Sequence, residues 1–176
     1  MKVALMIGVV ALAFAPAADL KLGEAVPDIA LGKDSLAALI KEGKVVAVYF
    51  WSCDCPYGPP NYPNVKAADT KFADNAKVKI VVVSSSGESE AKGSDWAKET
   101  NLKAAFVYDE GKKIAKHFMP KKVNATFVID AKGNLFYRGG IANDKTNLLI
   151  DAINAALEGK PAPASDQKFE GCGIKG

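Results

Sequence analysis

Apolar residues along the chain fall into short continuous runs, and amphipathic or polar stretches separate these runs. The runs at 44–51 and 78–83 are almost wholly apolar, which is typical of β-strands covered on both faces. The segments 125–130 and 134–138 flank a Lys-Gly turn and predict an antiparallel hairpin. Two shorter strands are predicted at 105–108 and near Ile29.

Helices are predicted between these strands from apolar spacing and from capping residues. Asp34 is a candidate cap for a short helix that follows it, and Ser94 is a candidate cap for a helix over 96–100. Asn143 is placed to cap the last helix, and Gly159 is placed to end it.

The stretch 58–61 and the residues after it contain Pro59, Pro60 and Pro63, which predict irregular backbone before a helix at 62–72. A further helix or turn is predicted at 111–118. Strands that alternate with helices in this way indicate an α/β fold, with a mainly parallel central sheet flanked by helices. The final hairpin makes that sheet mixed.

Composition is ordinary for a folded domain and narrows the classes of function. The chain has 176 residues, of which 49% are hydrophobic and 24% charged, so one domain with a sizeable core is expected. The net charge of +3 is small and the lysines are scattered. A nucleic-acid partner is therefore not expected, because such binding needs clustered positive charge.

The first residues have the pattern of an export signal. Lys2 precedes an apolar run at 3–14 that is too short to span a bilayer, and Ala15-Pro16-Ala17 offers a small-x-small cleavage site. We expect a signal peptide at 1–17, a folded domain at 18–160 and a tail at 161–176. The mature protein would be periplasmic or secreted, without stable membrane association; an uncleaved anchor is the alternative.

Three cysteines are the candidate chemical groups, and export would place them in a compartment that permits disulfides. Cys55 follows the strongest predicted strand and precedes Pro56, where a helix or turn begins. The partial positive charge at a helix start favours thiolate, whereas the neighbouring Asp54 opposes it. Because three is an odd number, one thiol is left over if one bridge forms.

The partners of Cys55 stay open at this level. Cys53 is two residues away, and a bridge between the two would close a small, strained and easily reduced ring. Cys172 lies in the tail and is the natural long-range partner, either as a structural cross-link or as a resolving thiol. A third possibility is a soft metal site for Cu(I) or Zn(II) made by Cys53, Cys55 and His117.

Several motifs together resemble the thioredoxin-like fold, and in particular the exported redoxin branch related to alkyl-hydroperoxide-reductase and thiol-specific-antioxidant proteins. The resemblance covers roughly residues 21–176. The matching segments are Gly23 to Leu31, Phe50-Trp51, Cys55-Pro56, Thr126 to Asp130 with Gly133 and Tyr137-Arg138-Gly139, and Gly171 to Lys175.

The chain also departs from that pattern at four positions. Gly58 stands where thioredoxin-type enzymes carry the second cysteine of Cys-x-x-Cys, and Asn124 stands where they carry a cis-proline. Tyr49 replaces a buried acid. Val48 stands at the proline of the peroxidase pattern, which argues against hydroperoxide reduction. The loop at Asn124 is expected to have trans peptide bonds, since a cis bond without proline is costly.

The resemblance implies a thiol–disulfide oxidoreductase with Cys55 as nucleophile and Cys172 or Cys53 as resolving thiol. Its partners would be protein thiols or disulfides and a thiol-protein electron donor, with no organic cofactor. Two alternatives remain: a metal-binding or metal-delivery module using Cys53, Cys55 and His117, and a degenerate thioredoxin-like module that binds partners without turnover.

Overall fold

The computed structural model describes residues 20–165 and 168–174. The predicted signal peptide at 1–17 lies outside the described residues. The strands are β1 Ala30–Leu31, β2 Asp34–Ser35, β3 Val45–Trp51, β4 Val78–Ser84, β5 Ala105–Tyr108, β6 Ala125–Ile129 and β7 Leu135–Gly140. The helices are α1 Leu36–Lys41, α2 Gly58–Phe72, α3 Glu90–Thr100, α4 Lys113–Phe118 and α5 Leu148–Glu158, with a 3₁₀ turn at Glu110–Lys112.

One five-stranded mixed sheet organises the molecule, in the order β5-β4-β3-β6-β7. Strands β3, β4 and β5 run parallel, whereas β6 pairs antiparallel with β3 and β7 antiparallel with β6. Every residue of the central strand β3 is buried. The prediction of an α/β fold with a mixed central sheet flanked by helices is confirmed.

Each face of the sheet has its own core, because successive side chains of a strand point to opposite faces. Tyr49 and Trp51 of β3 lie on the face covered by α2 and α5, and Phe50 lies on the face covered by α1 and α4. Trp51 stacks on Trp96 of α3, with 4.5 Å between the ring centroids. Strand β3 contributes to both cores, so its C-terminal end is held in a tightly packed position.

The prediction that Asp34 caps the first helix is wrong. Asp34 lies in the short strand β2, and its carboxylate pairs with Lys79 Nζ at 2.9 Å. The cap is Ser35, whose hydroxyl accepts a hydrogen bond from the backbone N–H of Ala38 at 3.1 Å. An N-cap acts on the N–H two or three residues further on, and here the β1–β2 hairpin puts Ser35 in that place.

Two other predicted caps are also wrong. Ser89, not Ser94, caps α3, which begins four residues before Ser94. Asn147, not Asn143, caps α5 by accepting from the N–H of Ile150 at 3.0 Å. The side chain of Asn143 instead closes the preceding turn, where it accepts from the N–H groups of residues 145 and 146.

The second helix begins at Gly58, four residues earlier than predicted. Pro59 and Pro60 occupy its first turn, where backbone N–H groups have no partner within the helix and their loss costs little. Pro63 lies inside the helix. The prolines therefore start the helix directly behind Cys55 instead of delaying it. None of the helices in 20–165 or 168–174 has the length and apolar content to cross a membrane.

Candidate active site

Cys55 lies in the turn that joins β3 to α2, at the C-terminal end of the parallel part of the sheet. The N–H of Gly58, the first residue of α2, donates to the carbonyl oxygen of Cys55 at 2.8 Å. This bond folds the chain back so that the Cys55 side chain sits beside the start of the helix. Only 2% of the Cys55 surface is exposed.

The sulfur of Cys55 forms a disulfide with Cys172 of the tail, 117 residues away, with 5.8 Å between the two Cα atoms. The backbone N–H of Cys172 also lies 3.1 Å from the Cys55 sulfur. The sequence left open whether Cys172 pairs with Cys55 or Cys53, and in the structure it pairs with Cys55. The disulfide joins the start of α2 to the C-terminal tail.

Cys53 is the free cysteine of the three and is partly exposed. Partial burial raises the pKa of its thiol, and the negative charges of Glu88 and Asp54 raise that pKa further. The ammonium of Lys92 works in the opposite direction, but it forms an ion pair with Asp54. The Cys53 environment therefore favours the neutral thiol, which is the weaker nucleophile.

A matched pair of variants tests this account of Cys53. In the oxidised protein, Asp54→Asn removes an anion, so we expect a lower Cys53 pKa and severalfold faster alkylation near neutral pH. Lys92→Ala removes the opposing cation and leaves Asp54 unpaired, so we expect a higher pKa and slower alkylation. The measurement is the iodoacetamide rate as a function of pH. Profiles that shift in the same direction in both variants would contradict the account.

A buried carboxylate that the sequence analysis missed lies behind the turn. Glu88 is 3% exposed and accepts hydrogen bonds from the hydroxyls of Ser52 at 3.0 Å, Ser84 at 2.5 Å and Ser86 at 3.2 Å. The Ser52 hydroxyl in turn accepts from the N–H of Asp54 at 3.2 Å. The network fixes the turn at Ser52 to the end of β4. The serine run that ends β4, followed closely by Glu88, was the available signal.

Asn124 connects three segments around the disulfide. Its side-chain oxygen accepts from the Tyr49 hydroxyl at 2.6 Å, and its amide nitrogen donates to the carbonyls of Tyr57 at 2.9 Å and Glu170 at 3.1 Å. Its backbone N–H donates to the Phe50 carbonyl at 2.8 Å. Asn124 therefore links β3, the turn after Cys55 and the tail, although the sequence analysis treated it only as a missing proline.

Backbone geometry explains why asparagine suits this position. Asn124 has a φ of +70°, a left-handed conformation that asparagine adopts more readily than most residues. Across residues 20–165 and 168–174 every peptide bond is trans. The prediction of a trans loop at Asn124 is confirmed.

Tyr49 stands where the thioredoxin-type sequence pattern has a buried acid, and a phenol differs chemically from an acid. Burial raises the pKa of its phenol far above the ordinary value. Tyr49 therefore stays protonated and donates a hydrogen bond to Asn124, and this bond positions the loop. Because its phenol already carries its proton, Tyr49 cannot act as the base for a cysteine.

The tail lies along the loop before β6 as a short antiparallel segment. The N–H of Val123 donates to the Cys172 carbonyl at 2.8 Å, and the N–H of Ile174 donates to the Lys121 carbonyl at 3.3 Å. Lys122 and Gly173 face each other in an isolated antiparallel bridge. The tail is therefore held by backbone hydrogen bonds as well as by its disulfide.

Gly58 has no room for the second cysteine of a Cys-x-x-Cys motif. A Cβ atom at Gly58 would lie 2.7 Å from the Ser52 carbonyl oxygen and 3.1 Å from the Trp51 ring. Both neighbours belong to the packed end of β3 and the turn after it. A local resolving thiol is thus excluded sterically at this position.

The structure does not bring His117 together with Cys53 and Cys55. Burial lowers the pKa of His117, while a hydrogen bond to the backbone carbonyl of Pro27 and the negative charge of Asp28 act to raise that pKa. Within the described part of the chain, no three His, Cys, Asp or Glu side chains form a group that could hold a metal ion. The Cys55 sulfur is engaged in the disulfide, so the metal alternative gains no support.

Many solved structures share the fold. A hypothetical protein from Sinorhizobium meliloti 1021 matches with a TM-score of 0.77 at 20% identity, over 88% of this chain and 94% of that one. An uncharacterized conserved protein from Geobacillus kaustophilus matches with a TM-score of 0.75 at 22% identity, over 89% and 92%.

A thiol:disulfide interchange protein of the thioredoxin family from Chlorobium tepidum TLS matches with a TM-score of 0.61 at 20% identity, over 80% of this chain and 99% of that one. At these identities the likeness establishes the fold, and the prediction of a thioredoxin-like fold is confirmed. No curated protein sequence matches the chain.

The sequence model of the AhpC/TSA family matches residues 14–138. The match includes the whole of β3, the turn with Cys53 and Cys55, and the hairpin partner β6. It covers well over half of the chain and agrees with the motifs from which the redoxin resemblance was inferred. The chain belongs to the AhpC/TSA family.

Proposed function

We propose that this protein is an exported thiol–disulfide oxidoreductase in which Cys55 is the nucleophile and Cys172 the resolving thiol. The observation that carries the proposal is the disulfide between a cysteine at a helix start and a cysteine in the tail. The chain belongs to the AhpC/TSA family and shares its fold with a thiol:disulfide interchange protein. Gly58 has no room for the second cysteine of a Cys-x-x-Cys motif, and Cys172, the residue bonded to Cys55, takes the resolving role on this proposal.

The electron balance of the reaction is simple. In the reduced protein the Cys55 thiolate attacks one sulfur of a partner disulfide, which forms a mixed disulfide and releases the partner's other thiol with a proton. The Cys172 thiolate then attacks the Cys55 sulfur, which forms the Cys55–Cys172 bond and releases the second partner thiol. Two electrons pass to the partner, and a thiol protein must supply them again.

Cys55 is the better candidate nucleophile than Cys53 on physical grounds. Cys55 lies just before α2, and the helix dipole of α2 puts partial positive charge at its start, which favours a thiolate. Cys53 lies next to two carboxylates that disfavour its thiolate. We assign Cys53 the role of a spare thiol that could exchange with the Cys55–Cys172 bond but is not required for turnover.

Export belongs to the same proposal. Residues 1–17 carry the signal pattern, and a disulfide is stable in an oxidising compartment. On this proposal the redoxin domain spans 18–160, and the segment 161–176 acts as the redox tail. Protein thiols or disulfides are the partners, in the periplasm or outside the cell.

Thiol counting and variant activity test the proposal. Air-oxidised protein should titrate with one thiol per chain, Cys53, and reduced protein with three. With a fluorescent peptide disulfide and a thiol-protein donor, Cys55→Ser should lose essentially all turnover. Cys172→Ser should stop after one mixed disulfide, and Cys53→Ser should retain most of the activity. Full turnover in Cys55→Ser would refute the assignment.

A further inference from the structure

The tail occupies a defined groove beside Cys55. We name it the tail groove; its floor is the backbone of Lys121, Lys122 and Val123. A cavity of about 110 Å³ opens beside this floor. It is lined by Met119, Pro120, Ala125, Phe127 and Gly139 together with the tail residue Phe169. Phe169 lies against Gly140, where a Cβ atom would come within 2.6 Å of it.

The backbone of the tail fits the groove closely at one residue. A Cβ atom on Gly171 would lie 2.0 Å from the carbonyl oxygen of Val123. Such an approach is impossible without moving one of the two backbones. By contrast, a Cβ atom on Gly173 would meet nothing within 4 Å. The groove therefore requires glycine immediately before the bonded cysteine and is indifferent to the residue after it.

The disulfide makes this fit relevant to partners. Any thiol that forms a mixed disulfide with Cys55 must place its sulfur within bonding distance of the Cys55 sulfur, where the Cys172 sulfur lies now. Cys55 is only 2% exposed while the tail is docked, so a partner must displace the tail to reach it. When the tail leaves, the Val123 N–H and the Lys121 carbonyl lose their tail partners and become available to the backbone of an extended partner segment.

We propose that the tail groove is the docking site for an extended partner segment of the pattern aromatic-x-Gly-Cys, and that the tail is a tethered occupant of the same site. The tail itself supplies the pattern as Phe169-Glu170-Gly171-Cys172. This inference rests on the proposed function and specifies its partner class. The partner occupies the groove while it is bonded to Cys55, and the tail occupies it again when Cys172 attacks the mixed disulfide.

The first test uses full-length protein with Cys53→Ser and Cys172→Ser, so that Cys55 is the one remaining thiol. The probe is the capped peptide Phe-Glu-Gly-Cys-Gly-Ile, its cysteine activated as a mixed disulfide with thionitrobenzoate. Attack by Cys55 forms the protein–peptide disulfide and releases thionitrobenzoate, whose absorbance gives the rate. The matched peptide carries valine in place of the glycine before cysteine, and both rates are divided by the rate with glutathione.

We expect the glycine peptide to react at least about tenfold faster than the valine peptide, a difference of about 1.4 kcal/mol, because the valine side chain would overpack against the Val123 carbonyl. Equal normalised rates would overturn the groove proposal and leave the oxidoreductase proposal standing. If neither peptide reacts with Cys55 while both react with glutathione, the proposed function itself fails.

The second test changes the tail and not the peptide. On the same background, Gly171→Val should weaken tail docking and speed the reaction of the glycine peptide severalfold, whereas Gly173→Val should leave the rate unchanged. Circular dichroism verifies that both variants are folded. A rate that is unchanged by Gly171→Val, or raised equally by both substitutions, would contradict competition between the tail and the partner.

Discussion

Replacing Cys172 with serine should lower the free energy of unfolding of the oxidised protein by about 4–5 kcal/mol, the loop-entropy value for a loop of this length. The two bonded cysteines are 117 positions apart in the sequence, so the disulfide closes a loop that contains nearly all of the domain from the start of α2 onward. In the unfolded chain the bond forbids most extended conformations. Its loss therefore stabilises the unfolded state more than it disturbs the folded one.

Urea unfolding at equilibrium measures this difference, and Cys53→Ser is the matched control because it removes a cysteine without removing the bond. Reduced wild-type protein should unfold close to the Cys172→Ser variant, since both lack the cross-link. A Cys172→Ser variant as stable as Cys53→Ser would show that the cross-link does not form in solution. A large loss in Cys53→Ser alone would mean that Cys53 takes part in the bond.

The same cross-link connects stability to the redox state. If the bond stabilises the oxidised fold, then by linkage folding favours oxidation of the Cys55–Cys172 pair to the same extent. The folded protein would therefore hold the disulfide more firmly than an unfolded chain does. The contacts of the tail with Lys121 to Val123 act in the same direction, since they keep Cys172 beside Cys55.

The sheet was predictable from the sequence, because its strands are continuous apolar runs and a buried strand has few other interpretations. The run at 45–51 is buried at every position and pairs parallel with β4, and β6 and β7 form the predicted antiparallel hairpin. Helix starts were predicted less well. The choice between Ser89 and Ser94, or between Asn147 and Asn143, depends on where tertiary packing lets a helix begin, and neighbouring polar residues have similar intrinsic capping ability.

The candidate site was predictable in its thiols and not in their surroundings. Cys55 and Cys172 are rare residue types in suggestive positions, so the sequence alone identifies them as candidates. Glu88 and Asn124 are common residue types, and their importance arises from contacts with residues more than 30 positions away. Such contacts leave no local pattern. The steric exclusion at Gly58 likewise depends on the positions of Ser52 and Trp51 in space.

Asn124→Ala should lower the free energy of unfolding by about 1–3 kcal/mol, the cost of leaving buried hydrogen-bonding groups without their partner. Alanine leaves the Tyr49 hydroxyl and the carbonyls of Tyr57 and Glu170 without their partner. Alanine also adopts the left-handed backbone conformation at a φ of +70° less readily than asparagine does. Because the Glu170 carbonyl belongs to the tail, loss of its hydrogen bond with Asn124 should also weaken the binding of the tail in the tail groove.

Two variants separate these effects. Asn124→Gly removes the side chain but tolerates positive φ, so the stability difference between the glycine and alanine variants reports the backbone strain. Tyr49→Phe removes one hydroxyl from the network and should cost less than Asn124→Ala. Stability is measured by urea unfolding of the oxidised and the reduced protein. Equal destabilisation of the reduced protein by Asn124→Ala and Tyr49→Phe would contradict this account. It would mean that only the Tyr49 hydrogen bond matters and that Asn124 does not hold the turn and the tail together.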